Sequence, residues 1–239
     1  MRLFAVEQVN KTYGAKQVLA GVSFAVEPGR VAAIIGKNGC GKSTLLAVAA
    51  TVLRPDSGRV LLDGQDPSTS PALRRTIGYL AQGDSLFEEL SVGDNLRFWG
   101  SAAGLDRHAV TASPFVELLG LDAFWSKRVS RLSGGMRRRT AICAALLGDP
   151  SYILLDEPFS GLDMLYRQEL SGFLCKMRDM GKTIIYTTHS PEELAGLGDT
   201  ALLLQGGQIL RRENISGHLS KGANLQALFL SYLKGENTL

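Results

Sequence analysis

The stretch GKNGCGKS, from Gly36 to Ser43, has the spacing G-x-x-x-x-G-K-[ST], and the chemistry that spacing serves is phosphate binding. Glycines at Gly36, Gly39 and Gly41 let the loop wrap, so that its amides, with those of Asn38, Cys40 and Thr44, point inward at phosphate oxygens. Lys42 then reaches the terminal phosphates and the Ser43 hydroxyl is placed for Mg²⁺. A second constellation, YILLDEP from Tyr152 to Pro158, is an apolar run ending in two acids. Beside a bound phosphate those acids have two tasks, Asp156 to hold the Mg²⁺ shell and Glu157 to orient or deprotonate water. The third is LSGGM, Leu132 to Met136, whose Ser133-Gly134-Gly135 turn opens a helix, the kind of place where backbone amides hold an anion. One nucleotide needs one cradle, so two anion-binding turns in one chain demand a second use.

The elements that must position these groups read as strands alternating with helices. RVAAIIG, Arg30 to Gly36, is a short buried-type strand running into the glycine-rich turn, and Lys42 to Leu53 reads as a helix stopped by RPDSG. Further strands are expected at Arg59 to Asp63, Ile77 to Leu80, Tyr152 to Asp156, Thr183 to Thr187, Ala201 to Gln205 and Gln208 to Arg212. Tyr166, Leu170, Phe173, Leu174 and Met177 recur at helical spacing, a stripe that packing on the sheet explains. From Gly83 to Asp149 the texture turns helical, with SVGD at Ser91 to Asp94 as a capping box and with Trp99 and Trp125, both assigned to packing. The predicted fold class is α/β: a P-loop nucleotide-binding core with a mostly parallel sheet, a small antiparallel β part at the N-terminus, and an inserted α-helical subdomain. The expected division is a single domain, 1–239, with its core in 1–82 and 150–213, the insertion in 83–149 and a tail in 214–239.

Bulk properties narrow the function classes. A chain of 239 residues suffices for one sizeable α/β domain, and 45% hydrophobic with 21% charged residues is ordinary globular usage. Lys and Arg number 26 against 23 Asp and Glu, spread along the chain, so a nucleic-acid partner is not expected. Cys40, Cys143 and Cys175 form no C-x-x-C pair and suit a reducing, cytoplasmic setting. Cys40 lies near a helix N-terminus, where a thiolate is favoured, although a small residue filling a tight loop is the plainer account. The most apolar stretches fall well short of the roughly 18 residues that span a bilayer, and the first residues alternate like a strand rather than a signal peptide. Downstream of the phosphate loop there is no Asn/Thr-Lys-x-Asp guanine reader, which favours adenine.

With LSGGM standing between the phosphate loop and LLDEP, the chain resembles the nucleotide-binding subunit of ATP-binding cassette (ABC) transporters. The resemblance covers nearly the whole chain and gives the second turn its use. In that family two such domains pair head to tail, each ATP lying between the phosphate loop of one and the Ser-Gly-Gly turn of the other. It further implies that Tyr13 stacks on adenine, that Gln82 in YLAQ senses Mg²⁺ and the attacking water, and that SGLD, Ser160 to Asp163, crosses the dimer interface. His189 in TTHS matches the histidine that contacts the γ-phosphate. The implied partners are a second ABC ATPase subunit and an integral membrane permease, which would attach this chain to the cytoplasmic face of the membrane.

Met136 departs from the glutamine that usually closes the signature, and Arg137, Arg138 and Arg139 follow it. The resemblance makes Arg137 and Arg139 typical. Helical residues lie about 100° apart, so three arginines cannot share one face, and Arg138 is left open between a solvated position and some other role. The Met form and the tail NLQALFLSYLKG, Asn224 to Gly235, resemble exporter ATPases of the ABC-2 kind. An importer ATPase, or a soluble ABC ATPase working on DNA or in cofactor assembly, is the alternative. Only Gly83 to Arg131 separates phosphate loop from signature, with no long heptad pattern of the DNA-repair sort.

Overall fold

The computed structural model describes residues 3–215 together with Gly217 and Ala227. The first strands, β1 (Phe4–Tyr13) and β2 (Lys16–Val26), form an antiparallel pair that β4 (Ser57–Leu62) extends to three strands in the order β2-β1-β4. Between them come β3 (Val31–Ile35) and α1 (Lys42–Ala49), and after them the short α2 (Pro71–Arg74) and β5 (Ile77–Leu80). Helices then dominate: α3 (Val92–Ala102), α4 (Arg107–Thr111), α5 (Pro114–Leu118) and α6 (Gly134–Leu146). The chain returns to the sheet through β6 (Tyr152–Leu155), α7 (Met164–Asp179), β7 (Thr183–Thr188), α8 (Pro191–Leu197), β8 (Thr200–Gln205) and β9 (Gln208–Asn214). The larger sheet has the order β5-β6-β7-β3-β8-β9 and is parallel except for β9. The mixed α/β architecture expected from the sequence is the one observed.

Strand composition follows from position in this sheet. β3, β6 and β7 are buried at every residue, as strands covered on both faces must be. Their side chains alternate between two apolar layers: Val31, Ala33 and Ile35 join Ile153, Leu155, Ile184 and Tyr186 under the helices, whereas Ala32, Ile34, Leu154 and Ile185 face α1 and the antiparallel sheet. β9, by contrast, carries no fully buried residue and lies at the sheet edge. Trp99 and Trp125 pack against the first layer, and a Cβ on Gly93 would lie 2.3 Å from the Trp125 indole nitrogen, so only glycine allows that approach.

Two local expectations are corrected. Helix α1 stops at Ala49 rather than Leu53. Thr51 turns left-handed at φ 58°, its amide bonding Val48 O and that of Val52 bonding Ala47 O, the pattern that ends helices usually at a glycine. The apolar run LLAVAATVL hides that stop because a threonine occupies the special position. Helix α3 does start at Ser91, whose Oγ accepts from the Asp94 amide, but Asp94 is too short for the reciprocal backbone bond and instead accepts from the Ser91 hydroxyl at 2.6 Å. The tail motif at Asn224 to Gly235 lies outside the described residues apart from Ala227.

Candidate functional site

The sheet register delivers the predicted groups to one edge. Leu80 of β5 pairs with Leu155 of β6, Leu155 with Tyr186 of β7, and Ile35 of β3 with Thr188 of β7, all in parallel. From the carboxyl ends of these four neighbouring strands the chain runs into Gln82, into Asp156 and Glu157, into His189, and into the Gly36 to Thr44 loop. The neighbouring strands β3 and β7 are followed by helices in different apolar layers, α1 in one and α8 in the other, and such reversals leave a ligand crevice beyond the carboxyl ends of the strands.

The loop after β3 is built on close approach. A Cβ on Gly36 would lie 2.4 Å from the Leu204 carbonyl oxygen and 2.6 Å from Cys40 Sγ, so any larger residue would push the loop off β8. Gly41 at φ 107° caps α1 with no side-chain bond, which leaves the first amides of that helix without a side-chain cap, as an anion-binding helix start requires. Lys42 is only 5% exposed, and its ammonium donates to the carbonyls of Gly36 at 2.9 Å and Lys37 at 3.2 Å. Ser43, Asn38 and Gly39 are exposed and Thr44 is half-buried. At Cys40 burial pushes the thiol up and outweighs the pull of Lys42, so the environment opposes a ready thiolate.

At the end of β6 the two acids part company. Asp156 is 1% exposed and accepts a bond from Thr187 Oγ1 at 2.5 Å, while the same hydroxyl accepts from the Glu157 amide at 2.8 Å. Glu157 holds a left-handed φ of 45°, a conformation that costs a non-glycine residue about 1 kcal/mol or more. Its Oε1 lies 3.4 Å from His189 Nδ1, so the structure brings this expected pair together. Gln82 is exposed at the neighbouring strand end, and Tyr13 stands exposed at the end of β1 with the Lys11 ammonium 5.9 Å from its ring centre.

The Ser-Gly-Gly turn is placed elsewhere. Ser133 Oγ accepts from the Met136 amide at 3.3 Å and opens α6; Gly135 is packed on the Tyr166 ring, and Gly134 is exposed with the Gly161 carbonyl as its nearest prospective contact at 3.8 Å. Asp163 caps α7 by accepting from the Tyr166 amide at 3.0 Å. Among the described residues no hydrogen bond joins the Ser133 to Gly135 turn to the Gly36 to Thr44 loop.

Two residues at this edge, Thr187 and Glu193, escaped the sequence reading, and a third, Arg138, was left open by it. Thr187 joins the two acids as described above. Arg138 is buried and donates to the carbonyls of Asp156, Glu157 and Pro158, which settles the open question at that position against a solvated face. Glu193 accepts from the Thr188 hydroxyl and lies 3.5 Å from Arg167, whose Nε donates to the Leu162 carbonyl. Burial raises the Glu193 carboxyl above its ordinary value of 4.5. It therefore keeps its proton to higher pH when folded than when unfolded, and its stabilising contribution, complete below 4.5, is lost as pH climbs through the raised value. Glu193→Gln removes that dependence, so its melting temperature relative to the parent protein is expected to improve as pH rises above 4.5 and to level off once the raised value is passed. Parallel melting curves against pH would contradict this.

A family model described as "ABC transporter" matches residues 19–160, and a shorter match, residues 128–195, is to an "AAA domain, putative AbiEii toxin, Type IV TA system". The chain is 33% identical over 218 residues to the ABC transporter ATP-binding protein NatA of Bacillus subtilis, covering 89% of each. It is 33% identical to the sulfate/thiosulfate import ATP-binding protein CysA of Gloeobacter violaceus, over 98% of this chain and 68% of that one. It is 38% identical to the Nod factor export ATP-binding protein I of Rhizobium etli, over 84% of this chain and 64% of that one. A solved structure described as an ATP binding subunit of an ABC transporter superposes with a TM-score of 0.84 at 27% identity, over 96% of this chain and 99% of the other. With the family model spanning more than half of its residues and NatA matched along nine-tenths of both chains, this protein belongs to the ABC transporter family as an ATP-binding, ATP-hydrolysing subunit.

Proposed function

We propose that this subunit pairs head to tail with a second ABC ATPase subunit, each ATP lying between the Gly36 to Thr44 loop of one chain and the Ser133 to Gly135 turn of the other. Closure of the pair around ATP would drive export through a separate integral membrane protein, on whose cytosolic loops the pair sits. The observation that carries this reading is the separation of the two anion-binding turns: the phosphate loop shares a sheet edge with Glu157 and His189, whereas the signature turn, exposed at Ser133 and Gly134, makes no hydrogen bond to that loop among the described residues.

The residues present fit nucleotide and metal. A buried ammonium within a glycine-rich loop suits phosphate, and the Ser43 hydroxyl, Gln82 amide and Asp156 carboxylate are the hard oxygen donors that Mg²⁺ takes. When bound, the ion neutralises charge on the terminal phosphates. Lys42 holds those phosphates, Tyr13 offers a face to adenine, and Glu157 draws the proton from the attacking water. His189, within 3.4 Å of Glu157, reads whether the γ-phosphate is in place, and the Asp163 segment carries that information to the partner.

Attachment to a membrane partner has its own support. Among the described residues no helix is long and apolar enough to cross a membrane. Phe87, Leu90 and Phe98 are nonetheless exposed together, Phe87 and Phe98 edge to face at 4.8 Å and Phe98 against Trp99 at 5.3 Å. Such a cluster of exposed rings marks a contact surface. Asn95 fixes it by bonding both backbone groups of Phe87. The double variant Phe87→Ser/Phe98→Ser is expected to lose recovery with membranes at least tenfold while still binding ATP; unchanged recovery would overturn this docking face. Export rests on the Met136 signature and the likeness to a Nod factor export protein. Import is the second reading, favoured by CysA and by the Fe(3+) import protein FbpC 2 of Rhodococcus jostii, of whose length this chain covers 60%. The integral protein recovered with the subunit separates the two.

A further inference from the structure

Three consecutive arginines on α6 meet three different fates. Arg137 pairs with Asp84 and Glu88, Arg139 pairs with Glu169 and lies over the Tyr166 ring, and both keep more than a quarter of their side chains exposed. Arg138 is 9% exposed and turns inward. Its Nη2 donates to the carbonyl oxygens of Asp156 at 2.7 Å and Glu157 at 2.8 Å, and its Nε to that of Pro158 at 3.0 Å. One planar fork thus holds three successive carbonyls of the turn that carries the expected general base. That turn needs holding, because Glu157 sits at φ 45°. The Thr187 hydroxyl grips the same residue by its amide, so the backbone of Glu157 is fixed on both its polar sides. Burial pulls the guanidinium down from its ordinary value, while the charges of Asp156, Asp84 and Glu157 hold it up.

Arg138 also has a lever. It lies four residues from the start of α6 at Gly134, about 6 Å along a rigid helix from the Ser133 to Gly135 turn. We propose that Arg138 is a positioning residue for Glu157 and that, through α6, it ties the place of that carboxylate to the signature turn of the same chain. The second half rests on the composite-site reading above: a nucleotide held on the partner's phosphate loop presses on this turn, and the displacement reaches this chain's own Glu157. The two ATP sites of a dimer are thereby linked through each α6 rather than only across the shared interface.

The test uses the full-length protein and steady-state ATPase measurements beside binding of a fluorescent ATP analogue. Arg138→Met should lower kcat by roughly 10–100-fold, the range a small misplacement of a reacting group produces, with analogue affinity changed less than about threefold. Arg138→Lys should recover part of that rate, since an ammonium can serve one carbonyl but cannot match the fork. In a Glu157→Gln background, Arg138→Met should cost less than about twofold more, because the group it positions no longer acts. The Hill coefficient for ATP should fall towards one in Arg138→Lys. If Arg138→Met does not give a cooperative melting transition, Arg138→Lys, which keeps charge and bulk, carries the same comparisons. Unchanged kcat, a loss of affinity in step with kcat, or an equal penalty in both backgrounds would each overturn the positioning role. A fall in kcat with the Hill coefficient intact would overturn the link through α6. A Glu157→Gln protein that turns over at the parent rate would instead remove the general-base assignment, and with it the target of Arg138.

Discussion

Glu157→Gln is expected to slow ATP turnover by roughly 10²–10⁴-fold while leaving ATP binding in place, the usual range for a lost general base. The substitution is clean because the contacts that fix this residue are to its backbone. Its amide bonds Thr187 and its carbonyl bonds Arg138, and neither changes when the side chain becomes an amide of the same shape. The left-handed strain at φ 45° is likewise unaltered. What is lost is the proton acceptor and the charge facing His189 at 3.4 Å. The ATP-bound dimer should then outlive the turnover time, so gel filtration with ATP and Mg²⁺ should shift from one subunit to two. Turnover at the parent rate, or a species that stays monomeric with ATP, would contradict the proposed cycle.

The parts of this site legible in the sequence are those whose chemistry is local. The phosphate loop needs glycines at fixed offsets between a buried strand and a helix, and Val31 to Ile35 and Lys42 to Ala49 supply that frame within a few residues of the motif. Buried parallel strands advertise themselves as apolar or β-branched runs, so YILL of β6 and TIIYTT of β7 were readable with the acids and the histidine at their ends. The order of the strands was not legible, since nothing in a run such as YILL says which neighbours it takes.

What remained hidden depends on long-range placement of ordinary residue types. Arg138 is one of three identical side chains, and only the packing of α6 against the end of β6 selects it for burial. Thr187 and Glu193 lie among residues that fit a strand end and a helix start equally well, and their partners are 31 and 26 positions away in Asp156 and Arg167. The early stop of α1 was missed for a different reason. Thr51 takes a conformation that sequence reading assigns to glycine or asparagine, so composition pointed the wrong way.

A mixed dimer tests why one chain carries two anion-binding turns. Lys42→Ala removes the buried ammonium from the phosphate loop. For the signature turn Gly134→Asp is the better partner variant than a change at Gly135, where a new Cβ would meet the Tyr166 ring at 3.2 Å and confuse packing with chemistry. At Gly134 a Cβ finds nothing closer than the Gly161 carbonyl at 3.8 Å, and an acid in the first turn of α6 favours the helix while setting a negative charge where a phosphate must approach. Each homodimer should be nearly inactive, with turnover down by 10²-fold or so, as for the loss of a principal contact to the reacting phosphate. The dimer of Lys42→Ala with Gly134→Asp brings an intact loop of one chain against an intact turn of the other and should regain close to half of the parent activity if its one sound site works alone, less if the sites are linked. The control places both changes in one chain and pairs it with the parent protein. Composite sites predict that both of its sites are broken, whereas self-contained sites predict that the parent chain's own site survives. Affinity-tagged mixed dimers make the comparison direct: activity in the control pair and none in the complementary pair would mean that the second turn serves its own chain, and the head-to-tail arrangement would have to be abandoned.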